Sequence, residues 1–491
     1  MTRTNRGLSS VRGPAGPSFH LGPLAVLQRR ALVVAAVVLL PLSQREARAQ
    51  QADIEGVPVD VVAGALEALE LPVMAAGLVD TIGGRLSGTP TGTRAEAWAA
   101  QWLRRLGADT VWYEVVRLPA WRRGTTEVRV ATPAALRHHR LTAVAYGYSP
   151  GIAADSLPVI DIGRGSPASI ASAGSRVKGA ALLTDGVVSP ELLAAAAQAG
   201  AAALLRISLE PGRLPQARLA PAAQPPAALP ILALSREDGS WLRRQAAAGP
   251  LSLSLQVEAE TRPGTAANVV AEWRGSDPAV ADEVFLLGAH LDAWDVGDGA
   301  LDNGTGVLAA LSAARALEDA PRRPRRTVRV VLFAAEELGL QGSRAYVETH
   351  AATLRRIVAM MNLDMVGAPE GYGATGHAEA DTLFARLAGE PALRELGLAG
   401  EVNHGGGSGS DHQPFLLAGV PTIYVQTALP PETPRWYHNA ADTLDKVDLE
   451  WIRSTAAAVA AAVWALADHP GRPLRHLSGD ETRALVQRLG W

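Results

Sequence analysis

The chain has 491 residues, of which 48% are hydrophobic and 19% charged, a globular composition in a chain too long for one simple core. It has no cysteine, which excludes disulfides, thiolate nucleophiles and cysteine metal sites. Any metal must therefore be held by His, Asp and Glu. The formal net charge is −3.

Residues 1–49 have the pattern of a cleaved export signal rather than of a membrane anchor. They carry seven arginines and one acid, Glu46, with an apolar run at 31–42 and a small-x-small triplet at 47–49. Twelve apolar residues are too few to span a bilayer, and residues 28–33 resemble a loose twin-arginine signal. Removing this segment, whose net charge is +6, changes the net charge from −3 to −9, which argues against nucleic-acid binding. We expect a periplasmic or secreted protein with no membrane span in the mature chain.

Residues 50–130 are predicted to form the first part of a catalytic domain. Apolar residues at helical spacing predict helices within 57–106. Two strands follow, at 110–116 and 127–130, and we expect Pro119 and Gly124 to separate them.

Residues 131–262 differ from the rest of the chain and are predicted to form an inserted domain. This segment is rich in Ala, Pro and Gly, and it contains an alanine-rich helix at 191–200. It also contains four short predicted strands: 180–183, 203–207, 229–234 and 251–257. Because it has no cluster of His, Asp or Glu, we expect a structural or lid role.

From residue 268 onwards, apolar strands alternate with helices. The predicted strands are 268–273, 284–289, 327–334, 357–363 and 422–425. The predicted helices are 307–317, 343–350, 381–396 and 449–466. This alternation predicts an α/β fold with a largely parallel central sheet covered by helices on both faces, and ligands beyond the carboxyl ends of the strands. The catalytic domain is predicted over 263–470, with a helical tail at 471–491.

Acidic and imidazole groups follow the ends of these strands or lie on the connecting loops. They are His290, Asp302, the pair Glu336-Glu337, Asp364 and His438. Each alone is typical of a helix cap, a solvated helix start or an ordinary histidine. Their shared placement instead indicates a two-metal hydrolytic site, which needs a bridging carboxylate, terminal ligands and a general base beside the water. Mixed His and carboxylate ligation suits zinc better than manganese or cobalt.

Five motifs, in order along the chain, resemble metallopeptidase family twenty-eight, the family of the two-zinc aminopeptidases and glutamate carboxypeptidases. They are HLDAWDVGDGALDNGTG, FAAEELGLQGS, NLDMVG, SGSDHQPF and WYHNAADTLD. The stretch 294–300 resembles the plasma glutamate carboxypeptidase (carboxypeptidase Q) branch, in which a protease-associated domain precedes the metal motifs. Residues 362–367 are more similar to the general aminopeptidase pattern. The resemblance implies a three-layer zinc-peptidase fold with a protease-associated-type domain at 131–262.

The same resemblance implies a set of ligands for two Zn²⁺ ions per chain. Asp302 would bridge both ions. His290 and Asp364 would complete the site of one ion, and Glu337 and His438 that of the other.

Further roles are implied for residues around the ligands. Glu336 would be the general base, and the Tyr437 hydroxyl would donate a hydrogen bond to the oxyanion. Asp292 would orient the first histidine ligand and Asp442 the second. The loop 405–411 would border the substrate pocket.

The resemblance implies a zinc-dependent exopeptidase that acts on the ends of peptides or on dipeptides. Aminopeptidase action and carboxypeptidase or dipeptidase action both stay open, as does a homodimer. One alternative is a glutaminyl cyclase-like acyl transferase on the same fold. Another is a non-catalytic, receptor-like binding protein.

Overall fold

A computed structural model of the chain describes residues 53–54 and 57–491, so the predicted export signal lies outside the described residues. The strands β1 to β16 are, in chain order, Asp53–Ile54, Val57–Pro58, Thr110–Thr132, Arg140–Leu141, Ala143–Ala145, Ile152–Asp161, Ala181–Thr184, Ala203–Ile207, Ile231–Leu234, Ser252–Trp273, Val284–His290, Thr327–Phe333, Ile357–Asn362, Ala368–Ala374, Val402–Asn403 and Thr422–Ala428. The helices α1 to α14 are Val59–Glu67, Leu71–Ala75, Pro90–Arg105, Pro167–Ala173, Pro190–Gln198, Arg236–Ala248, Thr305–Glu318, Gln341–Thr349, Asp381–Gly389, Pro391–Glu395, His412–Leu417, Thr433–Trp436, Leu449–Ala467 and Gly479–Leu489. Two π-helical turns, Ala76–Ile82 and Ala300–Gly304, are also present.

The predicted α/β fold class is confirmed by a large mixed sheet flanked by helices. Its catalytic part has the strand order β15-β14-β16-β13-β11-β12-β10-β3. The four central strands, β16, β13, β11 and β12, are mutually parallel. Antiparallel strands β14 and β10 flank them. The parallel centre therefore brings the carboxyl ends of four strands to one edge of the sheet.

Helices cover both faces of this sheet because side chains alternate between two apolar cores. Phe285 and Leu287 of β11 pack into a large core with α1, α7 and α13, whereas Leu286 faces the opposite side. There it joins Phe333, Tyr346 of α8 and Phe415 of α11 in a smaller core. Burial on both faces explains why these strands are nearly continuous apolar runs.

The register of the parallel strands aligns the predicted site residues. His290, the last residue of β11, lies opposite Phe333, the last residue of β12. Gly288 of β11 lies opposite Asn362, the last residue of β13. His290 is two residues after Gly288, and Asp364 is two residues after Asn362. Glu336 is three residues after Phe333. The sheet alone thus gathers residues from three separate segments at one edge.

Strands β3 and β10 are longer than the sequence predicts, and together they form an antiparallel ribbon. Pro119 does not interrupt β3, because it lies opposite Pro263 where, among the described residues, no third strand pairs with the ribbon. A proline that lacks an N–H group is tolerated in such an edge position. Pro119 and Gly124 therefore do not separate two strands. The predicted domain boundary at residue 262 lies inside β10.

Two further differences between the predicted and the observed elements involve Pro and Gly residues. The predicted helix 381–396 is divided into α9 and α10, which begins at Pro391. Strand β14, with the sequence APEGYGA, has no strand pattern of its own but pairs with β16 through the sheet. Tertiary pairing overrides weak local propensity there.

The segment 131–262 supplies most of a second large apolar core. Strands β6, β7, β8 and β9 are parallel, with β5 antiparallel at the edge, and helices α4, α5 and α6 accompany them. This core also includes Trp294 and Leu338 from loops at the edge of the catalytic sheet. The segment is therefore packed against the region where the predicted ligands lie.

One described helix, α13, is long and apolar enough to cross a membrane, and the bent pair Val59–Glu67 and Leu71–Ile82 reaches that length together. The α13 window is 78% buried inside the protein. It packs against α7, α1 and β14, so α13 is explained as a core helix.

Gly306, in the first turn of α7, is crowded by the loops that carry Asp302 and Asp364. A Cβ atom there would overlap the Leu363 carbonyl oxygen and the Asn303 side chain. Gly306→Ala should lower the free energy of unfolding by about 1–3 kcal/mol, measured by urea denaturation. Gly389→Ala is the matched control, because a Cβ there meets nothing within 4 Å, and it should change stability by less than about 0.5 kcal/mol. Equal stability of the two variants would contradict this account.

Candidate metal centre

Three of the predicted ligands converge at the end of β11. The Nε2 atom of His290 lies 3.1 Å from Oδ1 of Asp302 and 3.4 Å from Oδ1 of Asp364. His290 and Asp302 are buried, and the Asp364 side chain is 25% exposed. One atom from each lies within 4.8 Å of the others, which is close enough for a single ion.

A second group of three residues shares Asp302 with the first. The Nε2 atom of His438 lies 2.9 Å from Oδ2 of Asp302 and 3.2 Å from Oε2 of Glu337. One ligand atom from each of these three residues likewise lies within 4.8 Å of the others. Asp302 therefore turns one oxygen towards each group, the arrangement required of a carboxylate that bridges two ions.

The donor set fits a divalent cation such as zinc. Burial raises the pKa of Glu337 to about 7, and the neighbouring Asp302 adds to that rise although His438 opposes it. The Oε1 atom of Glu337 is buried without a hydrogen-bond partner among the described residues. Burial would lower the pKa of His438, but Glu337 and Asp302 raise it to about 10. A cation would satisfy these oxygens and replace the protons that the imidazoles otherwise hold.

The loops that present the ligands use strained backbone conformations. Three non-glycine residues have left-handed φ angles: Ala335 at 54°, Met365 at 54° and His438 at 57°. Each such residue costs about 1–3 kcal/mol. One adjoins Glu336, one follows Asp364 and one is itself a predicted ligand, so each of these three loops carries backbone strain beside a predicted site residue.

Asp292 lies beside His290, but its main-chain carbonyl makes the shorter contact. The Nδ1 atom of His290 is 3.0 Å from that carbonyl oxygen and 3.7 Å from Oδ1 of Asp292. The carboxylate instead accepts a hydrogen bond of 3.1 Å from the main-chain N–H of Glu336. Asp292 thus links the imidazole to the loop that carries both glutamates.

Asp442 does not form the predicted hydrogen bond to the second histidine. Its two carboxylate oxygens accept main-chain N–H groups, of Leu301 at 2.6 Å and of Asp302 at 3.1 Å. The prediction fails because the turn before Asp302 has free N–H donors, which bind a carboxylate more readily than a remote ring does. Asp442 therefore fixes the shared carboxylate and not His438.

His438 is instead held by the segment 131–262. Its Nδ1 atom lies 3.2 Å from the Ala217 carbonyl oxygen, and the Ala217 N–H donates a hydrogen bond of 2.7 Å to the His438 carbonyl. Gln216 adds a hydrogen bond of 3.1 Å from its side chain to the Tyr437 carbonyl. These main-chain contacts have no signature in the sequence, so sequence reasoning missed them.

Glu336 belongs to neither group of three and lines a cavity of about 690 Å³ next to them. Burial raises the pKa of Glu336 well above its usual value; His290 opposes the rise, and Asp364 and Glu337 add to it. A general base needs such a raised pKa. Tyr437 lines the same cavity, stacks on His438 with ring centroids 3.6 Å apart, and has a pKa raised by burial.

A second cavity, of about 510 Å³, is also lined by Asp364. The predicted pocket loop lines it through Gly405, Gly406 and Ser410. Ser410 donates a hydrogen bond of 2.5 Å to Oδ2 of Asp364. The loop thus touches both a predicted ligand and a cavity.

Arg85 is fully buried beneath the centre and was not predicted. Its guanidinium donates to four carbonyl oxygens: Leu291 at 2.7 Å, Gly299 at 2.8 Å, Asp298 at 2.9 Å and Gly83 at 3.3 Å. Burial lowers its pKa to about 10, and nearby acids including Asp442 oppose that fall. Arg85 thereby joins the two ends of the loop between His290 and Asp302. The GGRLSG sequence around Arg85 reads only as a loop.

Comparison with known proteins finds relatives that are peptidases. Residues 268–463 match the family model for peptidase family M28. Carboxypeptidase Q from Mus musculus is 30% identical over 403 residues, covering 79% of this chain and 83% of that protein. A peptidase M28 precursor from Shewanella amazonensis has a crystal structure with a TM-score of 0.73, 26% identity and coverage of 86% of this chain and 99% of its own. BSAP, a zinc aminopeptidase from Bacillus subtilis, shares the fold with a TM-score of 0.66 at 23% identity, covering 84% of this chain and 98% of its own.

Arg85→Met should lower the free energy of unfolding by about 2–5 kcal/mol, because it leaves four buried or partly buried carbonyl groups without their charged donor. Arg85→Lys should also be destabilised, because one ammonium group cannot bind the same set of carbonyl oxygens as the planar guanidinium group. Arg94→Met, which removes an exposed arginine of α3, is the control, and urea denaturation is the measurement. An Arg85→Met variant as stable as the control would contradict the proposal that Arg85 holds the loop between His290 and Asp302 in place.

Proposed function

This chain belongs to peptidase family M28 and is a zinc metallopeptidase, and from that premise we propose that it is an exported exopeptidase that uses two zinc ions to hydrolyse peptides or dipeptides. Its relatives include both carboxypeptidases and aminopeptidases. The observation that carries the proposal is the pair of three-residue groups that share Asp302. Glu336 stands beside them without belonging to either.

When bound, zinc would supply Lewis-acid chemistry, polarising the scissile carbonyl and making a water molecule more acidic. The residues that would hold the two ions are His290 and Asp364 on one side and Glu337 and His438 on the other. Asp302 would contribute one oxygen to each side, in keeping with its distances of 3.1 and 2.9 Å to the two imidazoles.

Glu336 would take the proton from the attacking water and pass it to the leaving amine. Two features support this role. Its side chain lines the cavity next to the ligands, and burial raises its pKa towards the range of an effective base. Asp292 would position it by accepting the hydrogen bond of its main-chain N–H.

Tyr437 would donate a hydrogen bond from its hydroxyl group to the oxyanion as the carbonyl becomes tetrahedral. Burial and four nearby carboxylates raise the pKa of Tyr437, so the hydroxyl stays protonated and able to donate. Its stacking on His438 fixes the ring against a proposed ligand.

We also propose that residues 1–49 are removed on export and that residues 131–262 are an inserted domain of the protease-associated type. The first proposal is supported by the arginine-rich start, the short apolar run and the small-x-small triplet. The second is supported by the apolar core that this segment mostly supplies and by its own parallel strands β6 to β9.

The two-ion arrangement predicts unequal effects of ligand removal on zinc content. Asp302→Ala should lower bound zinc from two ions per chain to nearly none, because both groups lose a ligand. Asp364→Ala should leave the other group intact and retain about one ion per chain. Mass spectrometric metal analysis after dialysis is the measurement. Asp282→Asn, whose side chain is 76% exposed, is the control; full zinc retention by Asp302→Ala would contradict the bridge.

Glu336→Gln should retain the zinc content of the native enzyme and reduce kcat on unblocked peptides by about 100- to 10,000-fold. The reason is that Gln fills the same volume but cannot accept the proton. Glu348→Gln, an exposed position on α8, should leave kcat unchanged. A zinc-loaded Glu336→Gln enzyme with native turnover would refute the assignment of the base.

A further inference from the structure

The cavity beside the metal centre has walls from two different parts of the chain. Asp302, Glu336 and His438 line one side. The segment 131–262 contributes two arginines to the lining, Arg206 from β8 and Arg218 from the loop between β8 and β9. A substrate in this cavity would therefore meet the proposed zinc site and these cations together.

Arg206 is a buried cation without an anionic partner in the described part of the chain. Only 4% of its surface is exposed, and its Nε atom donates to the Gly186 carbonyl at 3.1 Å. Its Nη1 atom is buried and meets no acceptor at standard hydrogen-bond geometry among the described residues. A buried charged donor in this state is costly unless a ligand supplies the acceptor.

Arg218 provides a second positive charge close by. Its Nε and Nη2 atoms donate to one neutral oxygen, Oε1 of Gln216, at 3.2 and 2.8 Å, so its charge is not neutralised there. Burial raises the pKa of Tyr146, and the guanidinium groups of Arg206 and Arg218 both oppose that rise. Tyr146, Arg206 and Arg218 all line the same cavity, and we call these three residues the arginine cluster.

We propose that the arginine cluster binds the free α-carboxylate of a short peptide substrate. This inference rests on the proposed peptidase function and names the substrate end that the enzyme reads. Planar guanidinium groups match carboxylate geometry and form short, charge-assisted hydrogen bonds. Arg344 of α8 lines the same cavity and adds a further positive charge at an exposed position.

The size and rim of the cavity favour a short peptide. Its volume of about 690 Å³ lies in the range of roughly 300–1,000 Å³ typical of small-molecule sites. Val187 and Leu209, both large exposed apolar residues, line it beside the cluster. They would contact a substrate side chain while the carboxylate is held by the arginines.

The test compares Ala-Leu with its C-terminal amide and its N-acetyl form, using the zinc-loaded enzyme with and without chelator. For the native enzyme, amidation should lower kcat/KM by about tenfold or more, the loss expected for a hydrogen-bonded charge. Arg218→Met should lower kcat/KM for the free dipeptide by a similar factor and leave kcat/KM for the amide nearly unchanged.

Two further variants control for folding and for general charge effects. Arg213 lies in the same loop as Arg218, between β8 and β9, and its side chain is 63% exposed. The Arg213→Met variant should keep the native preference for the free dipeptide over its amide. Arg206→Lys keeps the buried positive charge but loses the planar guanidinium group. It should therefore lose part of the preference for the free dipeptide over its amide. In the Glu336→Gln background, calorimetry should show that Arg218→Met weakens dipeptide binding about tenfold.

The outcomes separate this inference from the proposed function. If the native enzyme cleaves the dipeptide and its amide equally well, or if Arg218→Met lowers both rates alike, the carboxylate site is refuted and the peptidase function stands. Loss of cleavage on N-acetylation but not on amidation would instead assign recognition to the amine. If none of the three peptides undergoes chelator-sensitive hydrolysis, the proposed function itself fails.

Discussion

One buried carboxylate has to face two imidazoles at once, and much of the surrounding structure serves that requirement. Asp302 can do so only if its turn is held rigidly. Asp442 binds the N–H groups of that turn, and Arg85 holds both ends of the loop that leads to it. The sheet register then brings Asp364 into line with His290. Since acids and imidazoles are buried together, small displacements change both the charge balance and the geometry of the site.

The sequence predicts the central strands and the candidate ligands because both produce local signals. An apolar run identifies each buried strand, and an acid or histidine after it marks the edge where ligands bind. The supporting contacts produce no such signal. Arg85 binds residues more than 200 positions away, and the partner of His438 is a main-chain carbonyl 221 positions away. Because any residue type offers a carbonyl, that second contact has no pattern to detect.

The errors in the fold prediction come from the interpretation of Pro and Gly from the local sequence alone. Pro119 suggests a break, yet it lies in a two-stranded ribbon where a missing N–H costs little. Strand β14 is rich in Gly but gains its hydrogen bonds from β16 and β15. Pro391, in contrast, does divide a predicted helix, because a helix interior has no alternative partner for the lost hydrogen bond.

The paired hydrogen bonds between Ala217 and His438 have a consequence for how this chain can be re-engineered or recombined. A segment with its own apolar core would ordinarily be regarded as an exchangeable module, free to be grafted from one relative to another. Here the graft would also carry the group that orients a candidate ligand. Chimeras that keep the loop between β8 and β9 with its parent catalytic part should be the viable ones, because Gln216 and Ala217 of that loop bind Tyr437 and His438.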